Sequence, residues 1–118
     1  MSTTLYHNPR CSKSREALAL LESMGVTPIV VDYLKTPPDL DTLRLLVRRL
    51  GVRPAALLRR KEPPFVELGL AGKLDDEDAI LAAIAAHPVL LERPIVVQGE
   101  RAVIARPAET LRTLFNRD

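Results

Sequence analysis

The first residues, Thr3 to Tyr6, form a short run of hydroxylated and apolar positions that predicts a brief strand, and Asn8-Pro9 turns the chain out of it. From Ser12 to Met24 the apolar residues Ala17, Leu18, Leu21 and Met24 recur three or four apart, the period of a helix. Ser12 or Ser14 can cap its start and Gly25 can end it. Cys11 therefore falls at a helix N-terminus. After Pro28, the β-branched run Ile29-Val30-Val31 predicts a second strand, and its unbroken hydrophobicity predicts that it is buried. These elements make a β-α-β unit.

Beyond the breaker Thr36-Pro37-Pro38-Asp39, the positions Leu40, Leu43, Leu46, Val47 and Leu50 trace an amphipathic helix that ends at Gly51. A shorter helix is expected over Pro54 to Arg60, then irregular chain through Pro63-Pro64 and Gly69. The acidic run Asp75-Asp76-Glu77-Asp78 opens another helix, with Ile80, Ala83, Ile84 and the His87 position on one face. Pro94 to Val97 and Ala102 to Ala105 read as strands joined by the hairpin signal Gln98-Gly99-Glu100-Arg101, and Pro107 starts a last helix through Phe115. The order is β-α-β, helices, β-β-α, without an internal repeat or a linker. It predicts one α/β domain over residues 1–118, with a mixed sheet and a helical insertion at roughly 39–90. This resembles the thioredoxin or glutaredoxin fold.

Composition narrows the chemistry. Apolar residues make up 47% of the 118 positions, enough for a hydrophobic core without metal or disulfide staples. The formal net charge is only +2, with basic and acidic residues interspersed, which argues against nucleic acid or an anionic membrane as partner. No basic segment followed by an apolar one opens the chain, and the most apolar stretch, Ala79 to Leu91, is short and broken by His87-Pro88, so a cytoplasmic protein is expected. Arginine outnumbers lysine 13 to 4. Codon bias explains that as well as function does, although the planar guanidinium suits oxyanions.

The single cysteine excludes an intrachain disulfide and every multi-cysteine zinc pattern, and with two distant histidines no metal site is expected. A lone cysteine is ordinarily a small buried hydrophobe. In "YHNPRCSKSR", residues 6–15, the surroundings point elsewhere. Unpaired N–H groups at a helix start stabilise a thiolate, Arg10, Lys13 and Arg15 add positive charge, and Ser12 and Ser14 are either hydrogen-bond donors to the sulfur or simple caps. His7 is either a base for the thiol or a structural hydrogen-bonding residue.

"YHNPRCSKSR", "LLESMGVTPIVVDYLKTPP", "ALLRRKEPPFVELGL", "ERPIVV" and "RPAETL" together resemble the glutathione- and glutaredoxin-coupled arsenate reductase family over nearly the whole chain. The resemblance implies Cys11 as the catalytic nucleophile. It implies three substrate-binding arginines, Arg59 (with Arg60 as the neighbouring alternative), Arg93 and Arg106, with His7 and Ser14 in support. Arsenate would be the substrate, with phosphate or sulfate as mimics. Glutathione would be a co-substrate rather than a bound cofactor, and glutaredoxin the protein partner. A thioredoxin-like fold further implies a cis peptide bond at Arg93-Pro94.

Two rivals share the fold. A Spx-like regulator that binds RNA polymerase senses oxidation through a CxxC pair, whereas this chain reads Cys11-Ser12-Lys13-Ser14. A glutathione-linked monothiol oxidoreductase would need Cys11 but not the three arginines.

Overall fold

In the computed structural model, which describes residues 2–115, the chain forms β1 (Thr3–His7), α1 (Ser12–Ser23), β2 (Ile29–Asp32), α2 (Leu40–Leu50), α3 (Pro63–Glu67), α4 (Glu77–Ala86), β3 (Ile95–Gln98), β4 (Arg101–Ile104) and α5 (Leu111–Phe115). Two compact units result. One comprises the residues up to Thr36 and those from Arg93 onward; the other is Pro37–Glu92.

The first unit holds a four-stranded sheet in the order β2-β1-β3-β4. β1 and β2 are parallel, and the other two pairs are antiparallel, the mixed α/β arrangement of a thioredoxin-like fold. The register decides where the site lies. His7 pairs with Asp32, Tyr6 with Ile95 and Ile95 with Ile104. The ends of β1, β2 and β4 and the start of β3 therefore share one sheet edge. Ala17 and Leu21 of α1 and Leu111 and Leu114 of α5 bury against Leu5 and Val96 of the sheet, each residue at most 2% exposed. Each leucine or valine among them contributes about 1.5–3 kcal/mol on burial. Gly99, at φ 59°, supplies the left-handed residue of the β3–β4 turn.

The buried second strand expected from Ile29-Val30-Val31 is not found. β2 is an edge strand, and Ile29 and Val30 are 58% and 46% exposed. The β-branched run specified strand but not burial, because an edge strand has a neighbour on one side only.

The second unit is helical apart from one bridge, Leu58 to Leu91. Asp39 caps α2 by accepting from the Thr42 N–H at 2.8 Å, and Gly51 ends it at φ 69°. Asp76 caps α4 in the same way through the Ala79 N–H. α2 and α4 pack together, with Leu43, Leu46, Ile80 and Ile84 buried. Three expectations need correction. The helix from Pro54 stops at Leu57 as a single 3-10 turn, since Leu58 is extended and pairs with Leu91. Pro63-Pro64 begin α3 rather than irregular chain, because proline is tolerated in a first helical turn whose N–H groups have no partner anyway. His87 is exposed and lies just past α4, since Pro88 disfavours helical backbone at the residue before it. Among the described residues no helix is long and apolar enough to cross a membrane.

Candidate active site

The loop after β1 delivers Cys11 to the shared sheet edge. The Cys11 N–H donates to the Asn8 carbonyl at 3.0 Å, closing the turn through Pro9, and Cys11 itself is the residue before the first turn of α1. Neither Ser12 nor Ser14 caps the helix, whose N-cap residue is Cys11. Ser14 is instead fully buried. Its Oγ accepts from the Asn8 N–H and meets His7 Nδ1, each at 3.1 Å, so the hydroxyl ties the strand end to the helix.

Cys11 is partly exposed and unpaired. Burial alone pushes its thiol up, but hydrogen bonds from the Ser14 N–H, the Arg93 guanidinium and the Lys13 N–H, together with the Arg93 charge, outweigh this and hold it below the ordinary thiol value. The donors are thus two helix N–H groups and one distant arginine, not the serine hydroxyls. The local cations are turned to other tasks. Lys13 pairs with Glu16 at 3.8 Å, and Arg15 donates to the Pro9 carbonyl at 2.9 Å.

Arg93 stands two residues before β3. Burial disfavours its charge, yet hydrogen bonding and attraction to Cys11 and to Tyr33 prevail and raise its value further. Arg106 follows the end of β4 and donates from Nη1 to the Arg93 carbonyl at 3.3 Å. Both Arg93-Pro94 and Arg106-Pro107 are cis; the resemblance implied only the first. His7 is 6% exposed, and burial holds its ring below the usual imidazole value, opposed by Asp32 and reinforced by Arg15. It is a buried hydrogen-bonding residue at the strand end.

The first unit therefore brings together Cys11, Arg93, Arg106, His7 and Ser14. Arg59 belongs to the second unit, where its guanidinium lies 3.0 Å from Glu92 and 3.6 Å from Glu62; Arg60 is exposed. Tyr33 was not anticipated. Its signal was an aromatic residue directly after a predicted strand and just before the Thr36-Pro37-Pro38 breaker, which marks the end of the sheet where loops converge. Among the described residues, no group of three or more histidine, cysteine, aspartate or glutamate side chains is arranged to hold a metal ion.

A thioredoxin-like sheet that presents one anion-stabilised thiol beside paired arginines defines the class. Within it, the sequence model of the ArsC family matches residues 6–114, and the chain belongs to that family. It is 49% identical over 112 residues to an arsenate reductase of Neisseria meningitidis serogroup A, covering 94% of this chain and 96% of that one. It is 52% identical over 106 residues to the uncharacterized protein YfgD of Escherichia coli, covering 89% of each. Among solved structures it resembles an arsenate reductase from Vibrio cholerae, with a TM-score of 0.90 at 48% identity over 96% of this chain and 97% of that one.

Proposed function

We propose that this protein reduces arsenate to arsenite through a covalent adduct on Cys11, drawing electrons from glutathione and glutaredoxin. The observation that carries this reading is the place of Cys11, partly exposed at the start of α1, at the sheet end where Arg93 and Arg106 also stand; the lowered thiol value agrees with it. Arsenate is a dianion near neutral pH and would repel a bare thiolate. Donors fixed in advance around both charges remove that barrier. Arg93 and Arg106, adjacent at the sheet edge, are the candidates for docking its oxygens at the start of α1.

The thiolate then attacks arsenic, forming an S–As bond while one arsenate oxygen takes up protons and leaves as water. A glutathione thiol replaces a second oxygen, again with loss of water. The glutaredoxin thiol next takes the glutathione sulfur as a mixed disulfide. The two electrons lost by those thiols reduce arsenic from the +5 to the +3 state. Hydrolysis of the remaining S–As bond releases arsenite and restores Cys11. His7 and Ser14 support the thiol loop through their mutual hydrogen bond. Arg59 is assigned to the reduced intermediate by resemblance alone. A cytoplasmic location fits a cycle that runs on reduced glutathione.

A coupled assay with arsenate, glutathione, glutaredoxin and the purified protein tests the reading. Arsenite production that requires all four components is the expected result. Reduction of glutathione mixed disulfides without any turnover of arsenate would favour the monothiol oxidoreductase instead.

A further inference from the structure

Asn8, Pro9, Arg10 and Cys11 carry the chain from β1 into α1, and each N–H group in this turn has an acceptor. Pro9 brings none. The Asn8 N–H donates to Ser14 Oγ at 3.1 Å, the Arg10 N–H to Asn8 Oδ1 at 3.0 Å, and the Cys11 N–H to the Asn8 carbonyl at 3.0 Å. Asn8 thus supplies the acceptors for both Arg10 and Cys11. An asparagine side chain is short enough to bond a backbone N–H two residues on, which alanine cannot do and serine does more weakly. Asn8 is only 9% exposed, so water competes little for that bond. The other brace on the turn, Arg15 Nη1 donating to the Pro9 carbonyl at 2.9 Å, is exposed to such competition.

The turn delivers Cys11 in extended backbone, φ −94° and ψ 123°, at the N-cap of α1. From that position a side chain faces the N–H groups of the first helical turn. We infer that Asn8 is a positioning residue for Cys11: its side-chain oxygen, by holding the Arg10 N–H, sets the turn that seats the thiol at the start of α1. Ser14 ties the helix to the strand, whereas Asn8 shapes the turn between them. Without its acceptor the Arg10 N–H no longer closes the turn, and Cys11 spends part of its time away from the helix start. This inference rests on the proposed role of Cys11 as nucleophile, and alkylation of the thiol, which needs no arsenate, tests it separately.

The test compares Asn8→Ala with Asn8→Ser. Both remove the carboxamide, but only serine keeps an acceptor able to bond the same N–H. A hydrogen bond of ordinary net strength corresponds to about five-fold in an equilibrium, so kcat/KM for arsenate should fall about five-fold in Asn8→Ala. The midpoint of Cys11 alkylation against pH should move upward. Asn8→Ser should lie between Asn8→Ala and wild type in both measurements. A wild-type alkylation profile in Asn8→Ala, even with lowered stability in urea, makes the residue merely structural and overturns the inference; so do equal shifts in the two variants. Graded midpoints without arsenate turnover in any form uphold the inference and sink the arsenate reading instead. If Asn8→Ala does not fold, amide hydrogen exchange of the wild-type protein decides. The Arg10 N–H should exchange slowly although Arg10 itself is exposed, and exchange at the rate of an unprotected amide overturns the inference.

Discussion

Ser14→Ala separates holding the thiol loop from activating the thiol. The Ser14 side chain is 0% exposed, and its Oγ is the partner of two buried groups, the Asn8 N–H and His7 Nδ1, at 3.1 Å each. Alanine leaves both without that partner where water does not reach. An unsatisfied buried polar group costs about 1–3 kcal/mol, so the two together should cost about 2–6 kcal/mol. That is a large fraction of a domain's typical stability of about 5–15 kcal/mol. Urea unfolding should show it as a lower midpoint at unchanged slope. The same variant keeps the backbone N–H that donates to Cys11, so its alkylation profile should stay below the ordinary thiol range. A loss under about 0.5 kcal/mol, the scale of an ordinary surface substitution, would refute the buried-network argument. An unperturbed stability with a strongly raised thiol value would show that the hydroxyl, not the N–H, holds the anion.

Other consequences follow from the same geometry. Arg93→Ala should move the Cys11 alkylation midpoint upward, because it removes both a hydrogen bond and a charge from the sulfur; an unchanged profile would leave the helix N–H groups as the whole cause. Since the folded state lowers the Cys11 value, its contribution to stability is full above about 8.5, the free-thiol value, and is lost as pH falls through the folded value, as pH-dependent unfolding of wild type against Cys11→Ser should show. His7 is lowered by burial, so the folded protein should lose stability as pH falls below about 6.5, and His7→Asn should flatten that loss; an equal acid slope in the variant would contradict it. Arg59→Ala should cost about 1–3 kcal/mol, because its side chain is only 20% exposed between Glu62 and Glu92. Arg53→Ala, at a 64% exposed side chain, should cost under about 1 kcal/mol, and equal losses in urea unfolding would remove the distinction.

Element types were legible wherever local chemistry decided them. The helix Leu40–Leu50 follows from its apolar period, its Asp39 cap and Gly51, and the hairpin follows from Gly99. The exposure of Ile29 and Val30 was not legible, because a strand's place in the sheet order is a long-range property. Pro63-Pro64 misled because the same residues break a helix interior and start a first turn. At the site, the position of Cys11 before a helix could be read directly. Its charge partner could not. Arg10, Lys13 and Arg15 are near in sequence, but the guanidinium at the sulfur is that of Arg93, brought across β1 by strand pairing. Tyr33 was missed for the same reason: its place directly after a predicted strand marks the end of the sheet, but not that Arg93, 60 positions further along the chain, comes to the same end. The family resemblance supplied Arg93 and Arg106, and the register supplies the physical reason that they stand together.

Cys11 is the chain's only cysteine, so the proposed cycle forms its arsenate adduct on this protein and closes with thiols from outside it. The most direct measurement is arsenite formation by wild type and Cys11→Ser, each with glutathione plus glutaredoxin and, separately, with thioredoxin alone. The account predicts sustained turnover only for wild type with glutathione and glutaredoxin, because a serine hydroxyl offers no anion near neutral pH and thioredoxin finds no second thiol on the protein to work with. Turnover of Cys11→Ser at the wild-type rate, or sustained turnover with thioredoxin alone, would contradict it.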